Sequence, residues 1–314
     1  MREIIDGCCI GYRDFGEFLR EHFDCKVQKI SINAGFTCPN RDGVKGTGGC
    51  TYCNNQTFNP AYCKSEKSVT VQIEEGKRFF AHKYPDMQFL AYFQAYTNTY
   101  GELEQIKRLY EEALSVDGVK GLIIGTRPDC MPDELIKYIV ELSKRAFVLV
   151  EYGVESSCNA TLELINRGHL WSDSVDAIMR TVQAGLPCGV HIIAGLPGED
   201  EETLISTADK LSQLPLSTVK LHQLQLIKGT RLARQVQEEA LSVKQWSVTE
   251  YIDLCLEFIK HMAPSIAIER FTSQSPDELL LSPRWGLKNY EFTNLLNNAI
   301  RRNKVVQGSA LTLR

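Results

Sequence analysis

The sequence predicts an α/β fold built on a parallel β-sheet. Two observations support this prediction: six short apolar runs rich in β-branched and aromatic residues, and amphipathic segments of helical length between them. The length of 314 residues exceeds that of a typical domain but fits one α/β barrel with an extension. Six such strands form either an open doubly wound sheet or a partial barrel. Both architectures place functional groups at the carboxyl ends of the strands.

The predicted elements alternate along most of the chain. Strands are expected at residues 26–32, 88–93, 119–124, 147–152, 189–194 and 219–226. Helices are expected at residues 68–84, 103–115, 133–145, 172–184 and 201–214. Pro132 followed by Asp133 indicates a helix start, Ser172 offers a capping oxygen, and Gly185 indicates a helix end. Strand–helix–strand units of this kind connect parallel strands by right-handed crossovers.

The alternation stops near residue 229. Beyond it the pattern predicts an amphipathic helix over residues 247–262, a short strand at 266–268 and a last helix over 288–302. We therefore expect three parts along the chain. They are an N-terminal segment of residues 1–25, a core of residues 26–228 and an α-rich extension of residues 229–314 that packs on the core.

The composition limits the classes of protein to consider. Hydrophobic residues make up 43% of the chain and charged residues 24%, which is typical of a globular protein with a sizeable core. The formal net charge is −4, so a nucleic acid or a membrane would need a local positive patch. No stretch approaches the roughly 18 apolar residues of a membrane helix, and the N-terminus has no signal-peptide core. We expect a cytoplasmic protein with reduced thiols and no membrane partner.

Three of the eleven cysteines share one loop after the first predicted strand. Cys38, Cys50 and Cys53 have the spacing Cys-x11-Cys-x2-Cys, with a glycine-rich turn at residues 46–49 between them. Three ligands are fewer than the four of a structural zinc site, but they suit a [4Fe–4S] cluster with one iron left open. The alternatives are a zinc site completed by Cys63 or a histidine, and unrelated buried thiols.

The cysteine loop, together with later segments, resembles the radical S-adenosylmethionine (radical SAM) superfamily. The wide spacing resembles the branch that includes the catalytic subunit of Elongator. Supporting segments are Gly-Thr-Arg-Pro-Asp at residues 125–129, Gly-Val-Glu-Ser at 153–156, Asn-Arg-Gly-His at 166–169 and Gly-Leu-Pro-Gly at 195–198. With Glu-Arg-Phe-Thr at 269–272 and Pro-Arg-Trp at 283–285, nearly the whole chain resembles the YhcC/YtqA-type family.

The resemblance implies a fold and a chemistry. The fold is a partial (β/α)6 TIM-type barrel of the radical SAM type with an α-rich C-terminal extension. The cofactors are a [4Fe–4S] cluster, held by Cys38, Cys50 and Cys53, and S-adenosyl-L-methionine (SAM) on the open iron. The implied activity is reductive cleavage of SAM to a 5′-deoxyadenosyl radical, with an electron donor such as flavodoxin or ferredoxin.

The resemblance also suggests residues that contact SAM. Arg167 stands where related proteins bind the SAM carboxylate, and a surface arginine is the alternative. The segment with Gln94 and Thr97 follows the second strand, where carbonyl groups accept from the methionine amino group; an ordinary loop is the alternative. Glu155 is expected on the ribose side of SAM or in a structural ion pair. His191 is expected near the ribose or as a satisfied core histidine.

The other cysteines form no second ligand set by spacing: Cys8, Cys9, Cys25, Cys63, Cys130, Cys158, Cys188 and Cys255. Most are expected to be small buried hydrophobic residues. The sequence assigns no catalytic residue. Cys63 and Cys130 are the first to test for a catalytic role, because both follow motif loops at the expected active face.

The resemblance suggests tRNA as the substrate, with the C5 side chain of a wobble uridine modified in aminomethyl-type uridine maturation. Alternatives are radical SAM oxidation of a small molecule such as a porphyrinogen, and a non-catalytic iron–sulfur scaffold. The end of the chain has a local excess of basic residues: Arg284, Lys288, Arg301, Arg302, Lys304 and Arg314. Trp285, Tyr290 and Phe292 lie among them and are expected to stack on unpaired bases unless this is simply a solvated helix.

Overall fold

The fold is a curved parallel sheet covered by helices. The structure, a computed structural model, describes residues 3–5, 8–57, 59–81 and 87–311, with side chains from residue 10 onward in these ranges. The strands are β1 (Glu3–Ile5), β2 (Cys8–Ile10), β3 (Val27–Ile32), β4 (Gln88–Phe93), β5 (Val119–Thr126), β6 (Phe147–Glu155), β7 (Cys188–Ala194), β8 (Thr218–Gln223), β9 (Leu226–Ile227), β10 (Ala267–Arg270) and β11 (Leu280–Ser282). The helices are α1 (Phe15–Arg20), α2 (Val69–Phe80), α3 (Leu103–Ser115), α4 (Asp133–Ser143), α5 (Asn159–Leu164), α6 (Trp171–Gln183), α7 (Glu201–Ser212), α8 (Arg231–Gln237), α9 (Val248–His261) and α10 (Asn289–Asn303).

Seven parallel strands form the central sheet, in the order β10-β8-β7-β6-β5-β4-β3. Strands β3 and β10 are the two edges of this order, yet Lys29 Nζ of β3 lies 2.5 Å from Glu269 Oε2 of β10. The sheet therefore curls until its edges face each other across a common interior, as a partial barrel requires. This curvature, with helices alternating between the strands, confirms the predicted α/β fold class.

The sheet has one strand more than the six predicted. The short strand expected at residues 266–268 is β10, and it pairs in parallel with β8. Its register shifts between Ile268 and Arg270, which marks a bulge at the end of the strand. A strand of four residues is too short for the sequence pattern to show which sheet it joins.

Local sequence signals fix several helix ends. Ser68 accepts a hydrogen bond from the Val71 amide at the start of α2, as an N-cap serine does. Helix α9 begins with a capping box, in which Ser247 and Glu250 each bond to the other's backbone amide. Helix α2 ends at Phe80, before the predicted limit of 84, and residue 84 itself lies outside the described residues.

The C-terminal helices α9 and α10 pack against each other, and α9 also packs against α7. An aromatic cluster forms part of this contact: the ring centroid of Tyr251 of α9 lies 5.2 Å from that of Trp285 and 5.6 Å from that of Phe292. Trp285 and Phe292 are stacked with an interplanar angle of 12°. Among the helices of the described residues, none is long and apolar enough to cross a membrane.

Candidate active site

A single cavity contains every residue predicted to bind a metal or cofactor. Cys38, Cys50, Cys53, Gln94, Thr97, Glu155, Arg167 and His191 all line it. Other lining residues stand at the carboxyl ends of the strands, among them Thr126 of β5, Gln223 of β8 and Arg270 of β10. The cavity therefore opens at the face where parallel α/β folds place their active groups.

The cysteine loop is held in shape by backbone contacts with a neighbouring loop. The Thr51 amide donates to Ile165 O at 2.9 Å, and Asn166 Nδ2 donates to Gly49 O at 2.8 Å. Gly48 and Gly49 have φ angles of 78° and 76°, a conformation that favours glycine over residues with a Cβ. The glycine-rich turn seen in the sequence thus lets the loop double back and brings Cys50 beside residues 165–167.

The cysteine thiols receive nitrogen donors. Arg167 Nη1 lies 3.4 Å from Cys50 Sγ, and Asn40 Nδ2 lies 3.7 Å from the same sulfur. Asn55 Nδ2 lies 3.5 Å from Cys53 Sγ. Burial, together with the neighbouring Cys50, raises the pKa of Cys53 to about 12, so a thiolate at this position needs further positive charge. Bound iron supplies such charge, because metals bind cysteine as thiolate.

The arrangement of the thiols favours a cluster over a single ion. Within the part of the chain that the structure describes, no three Cys, His, Asp or Glu side chains are close enough to hold one metal ion. A zinc ion would require its ligands to converge on one point, whereas a four-iron cluster binds each thiolate to a different iron. Three cysteines around one cavity, with Cys38 and Cys50 nearly buried, therefore fit a [4Fe–4S] cluster.

Arg167 lies between the cysteine loop and the end of β6. Its Nη2 donates to Gly153 O at 2.6 Å and lies 3.6 Å from Glu155 Oε1. The second contact is an ion pair, which is the alternative role expected for Glu155. The guanidinium is buried, and its Nε has no hydrogen-bond partner among the described residues. A buried unpaired donor of this kind is costly unless a ligand accepts from it. The surface-arginine alternative is therefore wrong.

The segment after β4 offers a further unpaired polar atom. Thr97 is buried, and no described residue bonds to its Oγ1. Gln94 Oε1 accepts from Ser31 Oγ at 3.1 Å, which orients this side chain at the cavity wall. Asn98 has a structural role, because its amide donates to Phe93 O and Gly125 O at 3.0 and 2.7 Å. The segment thus brings a fixed backbone and polar side chains to the cavity wall.

The loop after β5 is braced by ion pairs. Arg127 makes two hydrogen bonds to Asp129, at 2.9 and 3.0 Å, and Lys45 lies 2.6 Å from the same carboxylate. Burial opposes ionisation of Asp129, but the Arg127 and Lys45 contacts prevail and lower its pKa to about 2. Arg127 Nη1 is buried without a partner among the described residues, and Arg127 lines the cavity. Arg127 therefore braces the loop and forms part of the cavity wall.

Cys63 and Cys130, the cysteines singled out for a catalytic test, do not line the cavity. Both are buried, and burial raises the pKa of each thiol to about 12. They are therefore protonated at neutral pH and packed among core residues. The side chains of Cys8 and Cys9 lie outside the described part of the chain.

The interior of the barrel holds charged residues to which the sequence pattern assigns no role. Lys29, Glu151, Lys220 and Glu269 come from four strands and meet inside the sheet. Glu151, together with His222 and Arg270, also lines the cavity. The available signal was a charged residue inside a predicted strand, as in Phe-Val-Leu-Val-Glu of β6. Such residues are rarely buried without partners.

Two family models match the chain. The model described as the radical SAM superfamily matches residues 37–211, and the one described as the radical SAM C-terminal domain matches residues 216–302. The first spans the cysteine loop and strands β4 to β7. The second begins just before β8 and includes β10 and the C-terminal helices.

The chain is also similar to individual known proteins, in sequence or in fold. The protein YtqA of Bacillus subtilis (strain 168) is 33% identical over 95% of this chain and 92% of its own length. A tRNA uridine(34) acetyltransferase of Methanocaldococcus jannaschii is 31% identical over 35% of this chain and 20% of its own. The solved structure of the archaeal Methanocaldococcus infernus Elp3 with an N-terminal deletion has a TM-score of 0.68 at 16% identity. That match covers 90% of this chain and 64% of the Elp3 chain and reflects the fold.

Proposed function

Because the chain belongs to the radical SAM superfamily, and within it to the YhcC/YtqA-type family, we propose that it modifies the C5 side chain of a tRNA wobble uridine. The family uses a [4Fe–4S] cluster and SAM, and the chain is accordingly a radical SAM enzyme. The observation that carries the proposal is the single cavity, where three thiols and several unpaired polar groups meet at the carboxyl ends of the strands.

The residues of the cavity divide between the two cofactors. Cys38, Cys50 and Cys53 hold the cluster, and Arg167 and Asn40 donate to the Cys50 sulfur. When bound, the cluster and SAM supply a 5′-deoxyadenosyl radical from reductive cleavage, with the electron from a flavodoxin- or ferredoxin-type donor. The protein's task is to bind and orient SAM, to position the substrate and to exclude water.

Arg167 binds the SAM carboxylate through its unpaired Nε, while Nη1 and Nη2 keep their contacts with Cys50 and Gly153. Arg167→Ala is expected to weaken SAM binding about tenfold to a hundredfold, because a hydrogen bond to a charged group contributes about 1.5–3 kcal/mol. Equilibrium dialysis with labelled SAM measures this, alongside the iron content of each variant. Arg180→Ala is the control, since Arg180 pairs with Asp133 and Asp176 outside the cavity. Unchanged SAM affinity at full iron content would contradict the assignment.

Support for tRNA as the substrate comes from the relatives. The M. jannaschii relative is named a tRNA uridine(34) acetyltransferase, and its similarity covers about a third of this chain. A radical enzyme that modifies the same nucleotide is consistent with a shared radical SAM core. Uridine 34 lies in the anticodon loop, where an unpaired base can enter a cavity of the protein.

The C-terminal surface has fewer exposed aromatic residues than the sequence suggests. Phe292 is buried, and Trp285 packs on it and donates through Nε1 to Trp246 O at 3.0 Å. The expectation that Phe292 stacks on bases is therefore wrong, because its ring belongs to the core, whereas Trp285 is half-buried. Tyr290 is 60% exposed. Arg301, Arg302 and Lys304 are exposed, and Arg314 lies outside the described residues. The exposed side chains of Arg301, Arg302 and Lys304 form a local basic surface at the end of α10, where phosphate contacts are proposed.

Mass spectrometry of tRNA nucleosides tests the proposal directly. Cells without the gene are expected to accumulate the precursor of one C5-modified uridine and to lose its product. A gene copy encoding Cys63→Ala should restore the product, because Cys63 lies outside the cavity, whereas a Cys53→Ala copy should not. An unchanged nucleoside profile in the deleted strain would reject tRNA and favour a small-molecule substrate.

A further inference from the structure

Four charged side chains form a closed ring inside the barrel. Lys220 Nζ lies 2.5 Å from Glu151 Oε2 and 3.2 Å from Glu269 Oε1. Lys29 Nζ lies 2.5 Å from Glu269 Oε2 and 3.5 Å from Glu151 Oε1. Two positive and two negative charges alternate around the ring, so the ring as a whole carries no net charge. Glu151 and Lys220 are each 1% exposed, which makes them the most deeply buried pair of the ring.

The ring fixes the ionisation state of Glu151. Burial by itself would raise the pKa of this carboxyl group, but the ammonium groups of Lys220 and Lys29 prevail and hold it well below its ordinary value. Glu151 is therefore a carboxylate at neutral pH. A carboxylate accepts hydrogen bonds and donates none.

The charge of Glu151 determines where His191 carries its proton. His191 Nε2 lies 3.0 Å from Glu151 Oε2, and since the carboxylate has no proton to donate, Nε2 must be the donor. Burial and the nearby Lys220 ammonium lower the pKa of His191 despite the carboxylate, so its ring is neutral at pH 7. A neutral ring with its proton on Nε2 has a free lone pair on Nδ1.

The His191 side chain, which carries this Nδ1, lines the cavity and is 20% exposed. Among the described residues, none donates to Nδ1. The other titratable groups near the His191 imidazole are Glu155 of β6 and His222 of β8. The centroids of the two histidine rings are 5.7 Å apart. We infer that His191 is a fixed hydrogen-bond acceptor for an O–H or N–H group of the bound ligand, and that Glu151 and Lys220 are its positioning residues.

The group that donates to His191 is either a ribose hydroxyl of SAM or a hydroxyl or amino group of the substrate. This part of the inference rests on the proposed function. Both are neutral donors of the kind that a bare imidazole nitrogen accepts. The tautomer of His191, by contrast, follows from the ring of charges alone. It can therefore be tested whether or not the enzyme turns over.

The tautomer is read by nitrogen NMR of the full chain labelled with ¹⁵N-histidine, with the cluster oxidised. The signal missing in His191→Asn identifies His191 among the six histidines. We expect a neutral ring with the proton on Nε2 at pH 7. The double variant Glu151→Met/Lys220→Met removes the acceptor without changing the net charge, and it should give a mixture of tautomers. Lys29→Met/Glu269→Met removes the other pair of the ring and should leave the tautomer unchanged. A proton on Nδ1 in the wild type, or equal effects of both double variants, would overturn the inference.

Two substitutions at position 191 then test the acceptor. Asparagine places an amide near the Nδ1 position, whereas glutamine places one near Nε2 and offers nothing to the cavity at Nδ1. His191→Gln is expected to lose about tenfold in affinity, the equivalent of one hydrogen bond, and His191→Asn to lose much less. If this difference appears in SAM binding, the donor is the ribose. If it appears only in the KM for tRNA, the donor is the substrate. Equal behaviour of the two variants in both measurements would overturn the acceptor role.

Discussion

Cys50→Ala is expected to reduce the bound iron from about four atoms per chain to near zero after anaerobic reconstitution. Cys50 is the cysteine that receives two side-chain nitrogen donors, from Arg167 and Asn40. Its removal leaves two thiolates, those of Cys38 and Cys53, which are too few to retain a cubane cluster. The same variant should produce no 5′-deoxyadenosine from SAM and dithionite. Iron analysis and the charge-transfer absorbance of the cluster measure the loss.

The matched controls are Cys63→Ala and Cys130→Ala, which remove equally buried thiols outside the cavity. Each is expected to retain the full iron content, with at most a modest loss of stability from the small void that alanine leaves. A Cys50→Ala protein that still binds four irons and cleaves SAM would eliminate Cys50 as a ligand. Loss of iron in all three variants would instead indicate a general folding defect.

Lys220→Met is expected to lower the free energy of unfolding by about 3–5 kcal/mol, because it leaves the Glu151 carboxylate buried beside a single, more distant ammonium group. Lys220 lies 2.5 Å from Glu151, whereas Lys29 lies 3.5 Å from it. The substitution also removes the contact of Lys220 Nζ with Tyr92 Oη at 3.0 Å. Chemical denaturation at pH 7 provides the measurement.

The double variant Glu151→Met/Lys220→Met shows whether the loss of stability comes from the unpaired Glu151 carboxylate or from the loss of the Lys220 side chain. Removing both charges restores balance in the ring, so the double variant should be several kcal/mol more stable than Lys220→Met. The Lys29–Glu269 pair remains to link the two edge strands. If the single and double variants unfold at the same denaturant concentration, the buried charge is not the cause of the destabilisation.

Much of the fold follows from local patterns. Six strands and the helices between them are visible as apolar runs and amphipathic segments, and capping residues such as Ser68 and Ser247 mark helix starts. The edge strand β10 does not follow in the same way. Its position is set by pairing with β8, about 50 residues earlier, and by Glu269, whose carboxylate meets Lys29 across the barrel. Contacts between such distant residues leave no periodic trace in the sequence.

The candidate site likewise contains features that the sequence predicts and features that it does not. The cysteine loop is predictable because its three ligands lie within 16 residues and their spacing is itself the signal. The Glu151–Lys220 pair was missed because its members are 69 residues apart and look like isolated charges in apolar strands. The positions of Trp285 and Phe292 depend on distant contacts in the same way. Phe292 is buried and Trp285 half-buried because the two rings pack on each other and on Tyr251, which a count of basic and aromatic residues does not show.

The proposed role of this cavity is to hold a cluster and SAM and to cleave SAM reductively. An anaerobic incubation of the reconstituted 314-residue chain with SAM and dithionite tests this role. We predict 5′-deoxyadenosine and methionine in equal amounts, formed only when iron, SAM and reductant are all present. Protein that carries four irons and binds SAM, yet forms no 5′-deoxyadenosine with or without tRNA, would contradict a role in SAM cleavage.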